Sequence, residues 1–340
     1  VHLRLLLTLL LLLSALPALA GEPRVFRISL DTGPNHLRNH VVERFAESLR
    51  AAAGERLDVQ VFHSGQLGKG RDVPKALIWG SAHMGVPVMQ HLARYVPDAN
   101  LFGLPVFYGA GSDAVWRLAE TSANARITQT IERKLRVKVL VPYLELGETT
   151  LFTSHPVRSP ADYAGLKIRS IGGAAVPVRL RRLGANPVTL PFADVPLALG
   201  QGALDGIIST YESVRSGQLW QVGLNHAFED RGEAVLYAPM VGVETWRALP
   251  PDLRRALQSA WAEAAADSRA LSARRQASAR QAFIDAGGAV ARADAAQLAD
   301  LRRRMRADAA QLLRELHMSP ALLSAALGEG DGHGAPPAPR

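Results

Sequence analysis

Cysteine is absent from all 340 residues, which excludes disulfide scaffolds, thiol nucleophiles, iron–sulfur clusters and cysteine-ligated zinc. Aromatic residues are scarce at 6%, and none interleaves with the basic run Arg302-Arg303-Arg304 and Arg306 as a base-stacking platform requires. Lysine is scarcer still: five of the 39 basic residues are lysine, and the rest are arginines scattered through alanine-rich stretches. The formal charge of +8 therefore reads as a composition bias, and no nucleic-acid partner is expected. Neither a P-loop glycine run nor a GxSxG nucleophile elbow occurs. Hydrophobic residues make up 48% and charged residues 21%, which excludes global disorder. The length suits two ordinary domains or one large bilobal one.

The longest apolar run is at the start. Residues 1–20 read VHLRLLLTLLLLLSALPALA, with Arg4 as a short basic start and small residues at Ala18 and Ala20. The run is too short to span a membrane comfortably. It reads as a signal peptide cleaved before Gly21, and with no cysteine to carry a lipid, the product is expected free in a periplasm.

Beyond it, strands and helices alternate. Val25–Leu30 reads as a strand, followed by a Gly33-Pro34-Asn35 turn and a helix with Leu37, Val41, Val42, Phe45 and Leu49 on one face. Strands are expected at 57–61, 84–88 and 137–141, and helices at 72–79 and 113–135. A second run begins near Gly147, with strands at 149–153, 166–169, 187–190 and 205–209 and helices at 174–183 and 194–202. The alternation predicts an α/β fold. An Ala/Arg-rich helix is expected over 250–286, about 50 Å long. A last amphipathic helix carries Leu298, Leu301, Met305, Leu312 and Leu316. The Gly/Pro-rich tail 328–340 has the composition of a disordered end.

Few residues suggest chemistry. His36 and His40 stand four apart on a helix, but no further ligand can be named, so they read as helix-surface histidines and no metal is expected. Arg302–Arg306, between Asp300 and Asp308, reads as a solvated helix face. In Gly165-Leu166-Lys167-Ile168-Arg169-Ser170, apolar and basic residues alternate. This puts Arg169 near the carboxyl end of a strand, where open α/β sheets hold ligands. Gly172-Gly173 then opens a helix whose first amides favour an anion. An arginine fork there suits a carboxylate, although a surface arginine is the plainer alternative.

Several segments together resemble a family. GLKIR at 165–169, LGANPVTLPF at 183–192, ALGQGALDG at 198–206 and Asn225-His226 follow the order of the TRAP-transporter solute-binding proteins of the DctP type. SGQLG at 64–68, GSAHM at 80–84 and the Thr245–Leu253 junction are similar to further signatures of that family. The resemblance covers about residues 24–320. It implies a two-lobed, type II-like periplasmic-binding-protein fold with a ligand cleft between the lobes and a long helix crossing both. Lobe I would comprise 21–146 plus about 236–260, and lobe II 147–235 plus about 280–326. The implied function is capture of a small organic acid by clamshell closure and its delivery to integral-membrane TRAP permease subunits, with no cofactor and no catalysis. A receptor serving a membrane sensor and a periplasmic enzyme on a bilobal scaffold are the alternatives.

By the same resemblance, Arg169 matches the arginine that holds a ligand carboxylate, and Phe192 the aromatic that packs against the ligand. Ser209 stands where many members carry asparagine. Asp31, Val88 and Thr150 fall at pocket positions by spacing. Val88 and Thr150 replace polar or charged residues used by sugar-acid binders, which implies a simpler or more apolar carboxylate. Tyr211 and Glu212 are expected either in the cleft or on the surface, and Asp205-Gly206 is expected to be a structural turn.

Overall fold

The structure is a computed structural model describing residues 24–323; the expected signal peptide at 1–20 and the tail at 328–340 lie outside the described residues. Among the described residues, thirteen strands occur in chain order. The first four are Arg24–Ser29 (β1), Leu57–Phe62 (β2), Met84–Gly85 (β3) and Val137–Val139 (β4). Leu144–Glu148 (β5), Thr150–Thr153 (β6), Lys167–Ser170 (β7), Asn186–Thr189 (β8) and Gly206–Ser209 (β9) follow. His226–Glu229 (β10), Ala234–Tyr237 (β11), Met240–Gly242 (β12) and Ala289–Arg292 (β13) complete the set.

These strands build two lobes. Lobe I holds a five-stranded sheet in the order β2-β1-β3-β12-β4, and lobe II a six-stranded sheet in the order β13-β10-β6-β9-β7-β8. The chain passes from one to the other through β5 into β6 and returns through β10 into β11, and β5 and β11 pair antiparallel. Where these crossings meet, Thr149 N–H donates to Glu233 O at 2.7 Å, and Glu233 N–H donates to Thr149 Oγ1 at 3.1 Å.

Sequence pattern explains the layers. The helix Leu37–Ala53 (α1) buries Leu37, Val41, Val42, Phe45 and Leu49, the helical spacing of one apolar face. Gly54, with φ of 57°, ends it in a backbone conformation that glycine adopts without steric cost. Phe45 meets the fully buried Trp261 edge to face, with ring centroids 5.7 Å apart, and Trp261 Nε1 donates to Pro142 O at 2.8 Å. Burial of such side chains contributes roughly 1.5–3 kcal/mol each. In lobe II, Ile207 and Ile208 of β9 enter separate apolar clusters, because successive side chains leave opposite faces of a strand. Both faces of this sheet are therefore covered.

Three expected long helices are each divided. The 250–286 helix is two, Pro251–Ala265 (α2) and Ser268–Asp285 (α3), interrupted at Ala266-Asp267. α2 packs in the lobe I core through Leu257 and Trp261, whereas α3 packs in lobe II through Ala279 and Phe283. Asp267-Ser268 is a helix-start signal inside an otherwise favourable run. The 113–135 helix breaks into Ser112–Ala119 and Ser122–Leu135, where Thr121 caps the second piece by accepting from Asn124 N–H. The last helix is likewise two, Ala295–Ala307 and Ala309–Glu315. Leu312, Leu316 and Leu323 pack in a cluster with Leu101, Ile127 and Val137. The basic run is a solvated face in part: Asp300 pairs with Arg303 at 2.8 Å and with Arg304.

Candidate functional site

Two cavities open between the lobes. An inner chamber of about 50 Å³ is lined by residues that include Asp31, Arg38, Val88, Arg169, Ser209 and Tyr237. An outer chamber of about 390 Å³ lies against it, and Asp31, His91, Ile171 and Phe192 line both.

Arg169 is the third residue of β7, held between β8 and β9, so the sheet fixes its backbone. Its Nε donates to Leu190 O at 3.1 Å, and its guanidinium lies 5.8 Å from the Phe192 ring centroid. The side chain is buried, at 4% exposure, yet it forms no ion pair with any carboxylate of the described residues. Burial lowers its pKa to about 10, against the opposing pull of Asp31 and Tyr237. It is still charged at neutral pH, with part of its fork uncommitted.

Arg38 is the opposite case. It pairs with Asp31, donates to Thr32 Oγ1 at 2.7 Å and to Val86 O at 3.1 Å, and lies 4.7 Å from the Tyr237 ring centroid. Burial alone would raise the Asp31 carboxyl, but the Arg38 charge and hydrogen bond hold it at about 2. His91 Nε2 lies 3.1 Å from Ile171 O. A carbonyl only accepts, so this nitrogen carries the proton and Nδ1 is the acceptor. Burial lowers the His91 pKa to about 4, so the ring is neutral. Its Nδ1 is buried without a partner, as are both Nε2 and Oε1 of Gln90, a lining residue of the outer chamber. Gly70 lets these groups meet: a Cβ there would overlap the Asp31 carboxylate and come 2.8 Å from His91 Cε1.

Of the residues expected here, Arg169, Phe192, Ser209, Asp31 and Val88 line the chambers together. Thr150 does not. It lines a separate cavity of about 830 Å³ with Tyr211 and Glu229, because β6 starts on the far side of the crossing strands. That cavity is larger, but its charges answer one another: Glu229 accepts from Arg280 at 2.5 Å and Arg292 at 2.8 Å, and Glu145 from Arg269 at 2.9 Å. At the helix opened by Gly172-Gly173, Ala174 and Ala175 N–H are committed to the protein, donating to Asn100 Oδ1 at 3.0 and 3.1 Å.

His36 is not a surface histidine. It is buried, caps α1 by accepting from Arg38 N–H, and places Nε2 3.1 Å from Ser213 Oγ. Neither Tyr211 nor Glu212 is on the surface: Tyr211 donates to Glu229 at 2.9 Å, and Glu212 accepts from Leu37 N–H at 2.7 Å. Asp205 is structural, accepting from Lys167 N–H at 2.7 Å. Sequence reasoning missed Arg38, Gln90, His91 and Tyr237. Arg38 carried a faint signal, seven residues after Asp31 at the start of a helix; Tyr237 arrives on the returning strand β11 and carried none.

Comparison with known proteins adds the family context. Residues 28–315 match the family described as bacterial extracellular solute-binding protein, family 7. A C4-dicarboxylate-binding periplasmic protein DctP of Rhodobacter capsulatus is 27% identical over 284 residues, spanning 82% of this chain and 83% of that one. A TRAP periplasmic solute-binding protein of Shewanella oneidensis, solved with bound succinate, superposes with a TM-score of 0.83 at 22% identity, covering 91% of this chain and 99% of that one. The sugar-acid-binding protein DctPAm of Advenella mimigardefordensis, solved with galactonate, gives 0.83 at 18% identity, covering 91% and 98%.

Proposed function

This chain belongs to family 7 of the bacterial extracellular solute-binding proteins, and on that premise we propose that it captures a small organic acid between its lobes and delivers it to the membrane subunits of a TRAP-type transporter. The carrying observation is Arg169: a buried guanidinium whose fork is only partly committed and which has no carboxylate of its own. A ligand carboxylate supplies the missing partner, and two parallel hydrogen bonds from a planar fork fix its orientation. Ser209 and Phe192 flank that position, and Val88 and Asp31 close the lobe I side. The acids in the names of similar proteins, a C4-dicarboxylate, succinate and galactonate, share this carboxylate chemistry.

Capture works by closure, since contacts to both lobes favour the closed state. Lys69–Asp194 at 3.0 Å and His91 Nε2–Ile171 O at 3.1 Å are contacts between the lobes. No covalent step is involved. Residues 1–20 direct export, with Gly21 as the mature amino terminus and the periplasm as the site of action.

Thermal unfolding of the mature protein with succinate, galactonate and phenylacetate is the test. An acid present at a hundred times its dissociation constant stabilises by about 2.7 kcal/mol, a clear rise in Tm, and its amide gives none. A panel of carboxylates that leaves Tm unmoved would remove the proposal.

A further inference from the structure

Most polar side chains around the inner chamber are bound to one another. Arg38 is held by Asp31, Thr32 and Val86, and Ser213 Oγ lies 3.1 Å from both His36 Nε2 and Thr210 Oγ1. The Tyr237 hydroxyl is different. Among the described residues nothing hydrogen-bonds to it, and it is not one of the unpartnered atoms sealed away from any surface. Tyr237 is 6% exposed and lines the inner chamber, so the surface its hydroxyl keeps opens there.

The ring is held in place. Its backbone forms an antiparallel bridge with Val88, the Arg38 guanidinium lies 4.7 Å from its centroid, and His36 meets it edge to face with centroids 6.4 Å apart. Burial pushes the hydroxyl up to about 12, with the charges of Arg38, Asp31, Glu212 and Arg169 also acting on it. At neutral pH it is therefore a protonated donor. Arg169 reaches the same space from lobe II, close enough for Tyr237 and Asp31 to act on it in turn. Buried polar groups are ordinarily paired, and a fixed donor without a partner, facing a half-committed guanidinium across a cavity, marks the place of an acceptor.

We propose that Tyr237 is the lobe I contact of the ligand carboxylate: the acid's oxygens take the Arg169 fork from lobe II, and one of them also accepts from the Tyr237 hydroxyl. The proposal rests on the carboxylate reading of Arg169. A carboxylate offers about four lone-pair sites, so fork and phenol do not compete. The other ionisable lobe I groups of this chamber are unsuited. Asp31 is ionised and repels a carboxylate, Arg38 is neutralised by Asp31, and His36 is kept neutral and engaged with Ser213. Because the two donors belong to different lobes, the carboxylate that binds also draws the lobes together.

Calorimetry with succinate, galactonate and phenylacetate identifies the tightest-binding of these three acids, and a double-mutant cycle with that acid tests the contact. Tyr237→Phe keeps the ring against Arg38 and is expected to weaken binding by about ten- to a hundredfold, as for a hydrogen bond to a charged group. In the Arg169→Ala background the same change should cost less than about threefold, since the carboxylate is no longer fixed against the hydroxyl. A crystal structure of the unaltered protein with that acid needs no variant: one carboxylate oxygen should lie within about 3.2 Å of the Tyr237 hydroxyl while the group is held by Arg169. Affinity of Tyr237→Phe within about threefold of the original, an equal loss in both backgrounds, or a hydroxyl bonded elsewhere overturns this inference and leaves the Arg169 carboxylate site intact. No Arg169-dependent binding of any of the three acids overturns both.

Discussion

Arg38 and Arg169 line the same inner chamber, but only Arg38 has a carboxylate of the protein for a partner, in Asp31. The difference sets the two roles. Arg38 and Asp31 form a neutralised pair that shapes lobe I, whereas Arg169 brings an unbalanced charge from lobe II into a space shielded from water. Burying a charge without a partner is unfavourable, and the sheet around β7 tolerates it because it holds Arg169 in place before the ligand arrives.

Replacing Arg169 therefore affects binding far more than folding. Arg169→Ala is expected to weaken binding of the best acid in the panel by about 30- to 4,000-fold, the equivalent of roughly 2–5 kcal/mol. Arg169→Lys should weaken it substantially too, since an ammonium keeps the charge without the fork. Calorimetry on the folded variants checks this, and affinity close to that of the original protein would move the site elsewhere.

Gly70 packs directly against Asp31 and His91, with no room for a side chain. The methyl group of Gly70→Ala would displace the Asp31 carboxylate and crowd His91, breaking the arrangement around both chambers. At least tenfold weaker acid binding is expected, with the secondary structure retained by circular dichroism.

Burial pushes the Glu212 carboxyl up to about 7, against the Leu37 N–H and the Arg275 charge. A carboxyl whose folded pKa is raised takes up a proton on folding, so its contribution is fully present below its unfolded pKa and is lost as pH rises toward 7. Glu212→Gln should thus gain stability relative to the original protein between about pH 4.5 and 7, by on the order of 1–3 kcal/mol, and hold that gain above. Urea unfolding at several pH values measures the difference. Comparing variant with original cancels the opposite slope from His91, whose pKa burial lowers to about 4.

At the crossing strands, the fully buried Asp230 accepts from Tyr108 at 2.6 Å and from Tyr163. Tyr163→Phe keeps the packing and removes one donor from a carboxyl that burial already strains upward. A loss of about 1–3 kcal/mol in unfolding free energy is expected, and an unchanged denaturation midpoint would show that Tyr108 alone satisfies the group.

Closure has a global readout. Small-angle scattering should give a smaller radius of gyration for the acid-saturated protein than for the ligand-free one, because the ligand ties lobe II at Arg169 to lobe I. Identical curves would mean that the lobes are already shut without ligand, contrary to the expectation.

Much of this protein is local and was open to sequence reasoning. The alternation along β1, α1 and β2 and the buried strands β7 and β9 follow from hydrophobic period and turn residues, which act within a few positions of the chain. Arg169 was legible for the same reason: its place at a strand end depends on the five residues around it. Family-like segments added Phe192 and Ser209, and spacing added Asp31 and Val88. What needed the tertiary structure was everything set by long-range pairing. The break at Ala266-Asp267 arises where one helical run serves two cores, and Thr150 faces a different cavity because the crossing strands turn there. Tyr237 reaches the chamber only because β11 returns from lobe II beside β5. Whether Arg38 or Arg169 would be the free cation was decided by which of them folded against Asp31, and no local pattern encodes that choice.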